Sequence, residues 1–197
     1  MVVVHLVVAP LLLPVVAMVP FALRAYLREG TRELDVRAWS PAETVVMVNA
    51  PNLLLPFYGV TAKRLVGAGP TLTRVLASSS EPVRVSRPDA QTLLVRAEHG
   101  FLDELSTGIV RARALELGET ASLHGLVVDV TALDREGLAV EARFRFDRPL
   151  DDPSFRWLAW TGATLVEITL PEVGAAATFG DGAPTRAAPT TGSPRDR

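Results

Sequence analysis

The chain begins with an apolar run from Val2 to Leu23, in which His5 is the only polar side chain. As a helix rising about 1.5 Å per residue, the run would be roughly 33 Å long, close to the hydrocarbon core of about 30 Å. Pro10, Pro14 and Pro20 would kink such a helix, and membrane helices tolerate this better than soluble ones. The run predicts an N-terminal transmembrane helix with its interface over residues 1–27. The alternative is a buried strand followed by a core helix.

The charges that flank the run predict an uncleaved anchor and its orientation. No basic residue precedes the run, and no small-residue cleavage site follows it, which argues against a signal peptide. Arg24, Arg28, Arg32 and Arg37 follow the run, so the positive-inside rule places its C-terminal side in the cytoplasm. We therefore expect a bacterial inner-membrane protein whose C-terminal domain is cytoplasmic.

A charged connector and a β-α-β unit are predicted after the apolar run. Residues 28–43 are rich in charge, and Gly30 is expected to end the helix that leaves the bilayer. Thr44–Val48 is β-branched and apolar, which indicates a buried strand. Asn49 and the two residues after it are typical of a helix start, with a helix over 52–66. With a second strand at Thr71–Ala77, residues 44–80 form the predicted unit.

Residues 81–179 change to a pattern of period two, which is typical of antiparallel strands with one packed face and one wet face. We expect a sandwich-like or barrel-like domain here, and the fold class is α+β. Residues 180–197 carry no large apolar side chain and are expected to be a disordered tail. The predicted strands of the domain are Pro82–Arg87, Gln91–Glu98, Ile109–Arg113, Glu119–His124, Leu126–Leu133, Leu138–Phe146, Arg156–Trp160, Thr164–Leu170 and Ala175–Phe179.

Composition excludes several kinds of chemistry. The chain has no Cys, so it has no disulfide, thiolate nucleophile or cysteine-bound metal. Its net charge of −2 gives no overall field that favours nucleic acid. His99 and His124 lack a second ligand at helical spacing, and each is interpreted as structural or incidental. We expect no cofactor, no metal site and no nucleic-acid partner.

Three further clusters are weighed against simpler roles. Ser78 to Ser80 with His99 and Asp103 contain the residue types of a hydrolase, but no G-x-S-x-G elbow is present. The carboxylates of FDRPLDDP match no calcium loop and are interpreted as a solvated turn. The aromatic side chains of FRWLAW, residues 155–160, suit base or sugar stacking, but core packing explains them more simply. No catalytic residue is assigned.

The turn VNAPN is the most site-like feature of the sequence. It follows a predicted strand and precedes a predicted helix, the position at which open α/β layers bind ligands and anions. Asn49 and Asn52 are the candidate ligand-binding residues because their amides could orient a polar group. Helix capping is the alternative role of both side chains.

Five short segments resemble the C-terminal region of uncharacterised bacterial polytopic membrane proteins: HLVVAPLLLP, VNAP, SRPDAQTLLVR, FRFDRPLDDPSFRWL and LPEVG. The resemblance covers most of residues 4–179. It implies a membrane protein whose Met1 begins part-way through a longer architecture, and it supplies no catalytic residue.

Two functions follow from these observations. The first is a membrane-anchored, non-enzymatic module that contacts the lipid bilayer and other membrane proteins and acts in assembly or partner binding. The second is a small-ligand or enzymatic domain that uses the Asn49–Asn52 turn. The absence of a convergent catalytic set favours the first.

Overall fold

The computed structural model describes residues 21–34, 39–57, 70, 72–101, 115–180 and 185–186. Within these ranges the chain forms two β-sheets, a helix over 21–30 and a helical turn at 54–57. The strands are β1 (Thr44–Ala50), β2 (Leu72–Ser78), β3 (Val83–Ser86), β4 (Thr92–Ala97), β5 (Thr120–Leu123), β6 (Leu126–Leu133), β7 (Ala139–Phe146), β8 (Phe155–Trp160), β9 (Leu165–Glu167), β10 (Ala176–Phe179) and β11 (Thr185–Arg186).

A mixed sheet has β1 near its centre, in the order β2-β1-β8-β9. Strand β1 runs parallel to both β2 and β8, and β8 pairs antiparallel with β9. All seven residues of β1 are buried, which its uncharged and mostly apolar sequence TVVMVNA permits. A strand that is covered on both faces needs such a continuous run. The predicted buried strand at Thr44–Val48 is therefore confirmed.

The second sheet is antiparallel, in the order β11-β10-β3-β4-β7-β6-β5. Its inner side chains alternate with exposed ones, as in β7, where Phe144 and Phe146 are buried while Arg143 and Arg145 are exposed. The predicted hairpin of β3 and β4 is confirmed, with Val85 opposite Val95. The period-two pattern thus identified the β3–β4 hairpin and the solvent-facing side of β7.

The main core lies between the two sheets. Val46 and Val48 of β1 pack in one buried cluster with Phe144 and Phe146 of β7 and with Trp157 of β8. The rings of Phe146 and Trp157 meet edge to face, with centroids 5.5 Å apart. The two sheets therefore form a sandwich that is closed by aromatic and β-branched side chains.

The helix over 21–30 covers the other face of the mixed sheet. Its less exposed positions, Leu23, Tyr26, Leu27 and Gly30, recur at intervals of three and four residues, and Leu34 continues the series. Leu34 belongs to a second buried cluster with side chains of β1 and β8, and Tyr26 and Leu27 pack against it. This helix is an amphipathic cover for the sheet, and it ends at Gly30 as expected.

The predicted α+β fold with an N-terminal transmembrane helix is wrong. The described chain is mainly β-structure in two sheets, and none of its helices is long and apolar enough to cross a membrane. Residues 21–23 are the only described part of the predicted span, and they begin a short helix that carries Arg24, Arg28 and Glu29 and packs on the mixed sheet. Residues 1–20 lie outside the described ranges.

The predicted β-α-β unit is only partly described. Strands β1 and β2 are parallel, as the unit requires. The expected helix start at Asn49 is wrong, because Asn49 and Ala50 are the last residues of β1. Of the expected helix over 52–66, only the turn at 54–57 shows helical structure in the described residues, and 58–69 lie outside them.

The boundary expected at residue 80 does not separate the two sheets. The β8–β9 hairpin, inside the expected antiparallel domain of 81–179, joins β1 in the mixed sheet. The expected connector over 28–43 buries Leu34 and Trp39 against that sheet. In the expected tail, Thr185–Arg186 pairs with β10 as β11. The predicted strand Ile109–Arg113 lies outside the described residues.

Candidate functional site

Asn49, the first residue of the predicted ligand turn, is fully buried at the end of β1. Its Oδ1 accepts a hydrogen bond from the backbone N–H of Trp160 at 3.0 Å, which ties β1 to the end of β8. Its Nδ2 has no hydrogen-bond partner within the described part of the chain. The side chain therefore links two strands and leaves one buried donor unpaired, a costly arrangement.

Asn52, the second residue of that turn, caps the helical turn at 54–57. Its Oδ1 accepts hydrogen bonds from the N–H groups of Leu54 at 3.0 Å and Leu55 at 3.1 Å, which is the bonding of an N-cap. Its Nδ2 donates to the Tyr26 hydroxyl at 2.8 Å, and burial raises the pKa of that phenol. Both polar atoms of Asn52 are thus used in holding the turn against the helix over 21–30.

The histidines and serines of the other candidate sites lie at strand ends and in turns. His124 lies in the β5–β6 turn, and its carbonyl accepts from Arg74 of the mixed sheet. Ser79 Oγ accepts the Glu81 N–H at 3.1 Å, and Asp103 lies outside the described residues. No group of three His, Asp or Glu side chains in the described ranges is arranged to hold a metal ion.

The carboxylates of the predicted acidic turn serve separate contacts. Asp151 forms a bidentate ion pair with the buried guanidinium of Arg87, in which Nη1 donates to Oδ1 at 2.9 Å and Nη2 donates to Oδ2 at 2.5 Å. This contact holds the pKa of Asp151 below its usual range. Asp152 accepts from the Ser154 N–H and hydroxyl, which likewise lowers its pKa. The Asp151–Arg87 pair connects the loop before β8 to the β3–β4 hairpin, whereas the Asp152–Ser154 contacts lie within that loop.

The aromatic side chains of FRWLAW are core residues, as the simpler interpretation held. Phe155 and Trp157 pack between the sheets, and Trp160 packs on the helix side of the mixed sheet. Arg156 forms ion pairs with Glu43, from Nη2 to Oε1 at 2.9 Å, and with Glu167, from Nη1 to Oε1 at 3.3 Å. It therefore connects the segment before β1 to β9. No described aromatic ring of this segment is presented for stacking on a ligand.

The outer face of the antiparallel sheet carries the most site-like surface. Strands β10, β3 and β4 bring three side chains into one cross-strand row, because Thr178 is opposite Arg84 and Arg84 is opposite Arg96. All three residues are exposed. Side chains that are directly opposite in an antiparallel pair have Cβ atoms about 5 Å apart. Two guanidinium groups therefore emerge side by side from the same face.

This row forms the floor of an open groove of about 500 Å³. One end of the groove, where β3 begins and β4 ends, is lined by Glu81, Pro82, Glu98 and His99. The groove thus carries two cations in its middle and two carboxylates at that end. We name it the Arg84–Arg96 groove.

The charges in the groove are only partly balanced by the sheet. Nη1 of Arg96 lies 3.8 Å from Oε2 of Glu141. The other oxygen of Glu141, Oε1, accepts a hydrogen bond from the Thr131 hydroxyl at 2.9 Å. Arg84 makes no ion pair or hydrogen bond with its side chain to the rest of the described chain. Like charges directly opposite on a sheet are destabilising. An acidic group bound between Arg84 and Arg96 would relieve that repulsion.

Sequence reasoning missed this groove, although its components were visible. The arginines stand at the exposed positions of VRVS and TLLVRA. Only the pairing register brings Arg84 opposite Arg96, and it also draws His99 to the rim of the groove. The signal that could have found the groove is an alignment of the two predicted hairpin strands about their turn.

Comparisons with known proteins find no matching family model, no similar curated protein and no similar solved structure. The resemblance to polytopic membrane proteins therefore stays a prediction.

Proposed function

We propose that this protein is a non-enzymatic binding module that recognises an acidic partner protein through the Arg84–Arg96 groove. One observation carries the proposal: two exposed arginines are placed directly opposite each other on neighbouring strands. Guanidinium groups bind carboxylates through paired, charge-assisted hydrogen bonds. They also stay protonated at neutral pH, so they favour binding over proton transfer.

The rest of the groove favours a carboxylate on a polypeptide over a highly charged phosphate ligand. Glu81 and Glu98 at the end of the groove would repel a polyanion. The same carboxylates can accept hydrogen bonds from backbone N–H groups or pair with a basic side chain of a protein ligand. The Thr178 hydroxyl offers one further polar contact beside Arg84.

The test measures binding of poly-L-glutamate to the full chain at low ionic strength. Arg84→Glu combined with Arg96→Glu should weaken binding by about tenfold or more, because exposed ion pairs are each worth up to about 1 kcal/mol and charge reversal adds repulsion. The control is Arg24→Glu combined with Arg28→Glu, which makes the same charge change at two exposed positions of the helix over 21–30, on the opposite side of the sandwich. Equal losses in the two double variants would mean that overall charge, and not the groove, drives binding.

The alternative function is a small-ligand site at the Asn49–Asn52 turn. The unpaired Nδ2 of Asn49 is the observation that supports it, because a bound polar group could accept that hydrogen bond. Against it, Asn49 is fully buried and Asn52 uses both its polar atoms. The substitution of Asn49 described in the Discussion tests the burial on which this objection rests.

A further inference from the structure

The arginines of the outer face extend beyond the groove. On the next strand, β7, Arg143 and Arg145 are exposed on the same face. Arg96 is opposite Glu141, so Arg143 is its diagonal neighbour across the β4–β7 pair. Diagonal neighbours of this kind are about 7–8 Å apart. The outer face thus holds a second cationic position at a defined distance from the groove.

The carboxylates near Arg143 are occupied by the sheet itself. Asp129, its partner on β6, accepts the Thr120 hydroxyl at 2.8 Å, and no ion pair joins Asp129 to Arg143. Within the described ranges, Arg143 makes no ion pair or hydrogen bond through its side chain. Leu94 lies directly opposite it on β4 and is half-buried, so an apolar side chain separates the two cationic positions.

We propose that the acidic partner binds as an extended segment with acidic side chains two residues apart, one on the Arg84–Arg96 groove and one on Arg143. The inference rests on the proposed function and deepens it. In an extended chain, alternate side chains point to one side and repeat about every 6.6–6.8 Å. That repeat matches the diagonal separation of Arg96 and Arg143, and the backbone between the two acidic residues passes over Leu94.

The same face is a poor match for single-stranded nucleic acid, which is the other extended anion. Binding of single strands relies on aromatic side chains that stack on the bases. The outward positions of β3, β4 and β7 hold none, and Glu141 and Asp129 are interspersed among the arginines. The charge pattern therefore suits a polypeptide with spaced carboxylates better than a continuous phosphate backbone.

The experiment titrates fluorescein-labelled, end-capped peptides into the full chain and measures fluorescence anisotropy at low salt. One peptide carries two glutamates separated by one serine, the second carries the two glutamates adjacent, and the third carries a single glutamate. We expect the spaced peptide to bind about threefold to fivefold more tightly than the other two, the gain of one added exposed ion pair. Equal affinity of the spaced and adjacent peptides would overturn the inference, because adjacent side chains point to opposite sides of an extended chain.

Variants assign the two contacts separately. Arg143→Ala, with Arg143→Gln as a milder second change, should reduce the affinity of the spaced peptide to that of the single-glutamate peptide. Arg84→Ala combined with Arg96→Ala should weaken binding of all three peptides, and Arg135→Ala should change none of them. If Arg143→Ala has no effect while the groove variant weakens binding, this inference fails and the proposed function stands. If the groove variant has no effect, both fail. If an eight-nucleotide oligothymidylate binds more tightly than the spaced peptide, this face binds nucleic acid and the inference of an acidic peptide is overturned.

Discussion

Replacing Asn49 with aspartate tests whether this side chain is shielded from water at the end of β1. The side chain is fully buried, with Oδ1 on the Trp160 N–H and Nδ2 unpaired among the described residues. Asn49→Asp keeps the shape and the acceptor and removes the unpaired donor. It also places a carboxyl group beside the Trp160 N–H, with no cation among the described hydrogen-bond partners of this side chain. Burial disfavours the charged form of such a group, so its pKa in the folded protein should be strongly raised.

The size of the effect follows from the linkage between protonation and folding. In the unfolded chain the introduced carboxyl titrates near pH 3.9, and each pH unit above that value corresponds to about 1.36 kcal/mol. If folding raises the pKa of the introduced carboxyl to about 7 or above, the folded state must keep this group protonated or bury its charge. Either way, the free energy of unfolding falls by about 4 kcal/mol at pH 7. Because the folded pKa is raised, this loss is absent below about pH 4 and grows as the pH rises. A loss of that size is a large part of the total stability of a domain, which is about 5–15 kcal/mol.

The assay is urea unfolding of wild type and variant at several pH values between about 4 and 7. Asn52→Asp is the matched control, because aspartate is as good an N-cap as asparagine and can accept a hydrogen bond from the Tyr26 hydroxyl. The control should stay within about 0.5 kcal/mol of wild type at every pH. If Asn49→Asp shows the same small, pH-independent change as the control, its side chain reaches water, and the argument from burial is refuted.

Two further substitutions test the packing around the mixed sheet and the loop before β8. Gly30→Ala should lower the free energy of unfolding by about 1–3 kcal/mol, measured by thermal or urea unfolding, because a Cβ at Gly30 would lie 2.6 Å from Leu55 Cδ1. Adding Leu55→Ala should remove this clash, so the losses of the two single variants should not add up in the double variant. Additive losses would contradict this reason. Asp151→Asn should cost about 1–3 kcal/mol at pH 7, because solvent screens the 74% exposed Asp151 side chain but the change leaves the buried Arg87 guanidinium without its carboxylate. Its contact with Arg87 lowers the pKa of Asp151, so this contribution is present above the unfolded pKa of about 3.9 and is lost as the pH falls through the lower folded value. Wild type and variant should therefore converge in acid, and a constant difference at all pH values would rule out the ion pair as its source.

The sequence alone determined most of the strands and the burial of their side chains. The uncharged, mostly apolar sequence of β1 required cover on both faces, and the structure provides an antiparallel sheet on one and the helix over 21–30 on the other. Alternation in β7 placed Phe144 inside and Arg143 outside. These features are local, because side-chain direction along a strand repeats every two residues whatever the partner strand is.

The tertiary structure decided which strands meet, and thereby the fold and the candidate site. Hydropathy could not show that the β8–β9 hairpin pairs with β1 in the mixed sheet, so the boundary expected at residue 80 does not separate the two sheets. Nor could it show that Asn49 bonds to Trp160, which is far away in sequence. The register of the β3–β4 pair places Arg84 opposite Arg96, and the register of the β4–β7 pair places Arg143 diagonal to Arg96. A shift of one residue would turn the arginines of a strand towards the core, so the burial of valines and phenylalanines on the inner face is what sets the charges on the outer face.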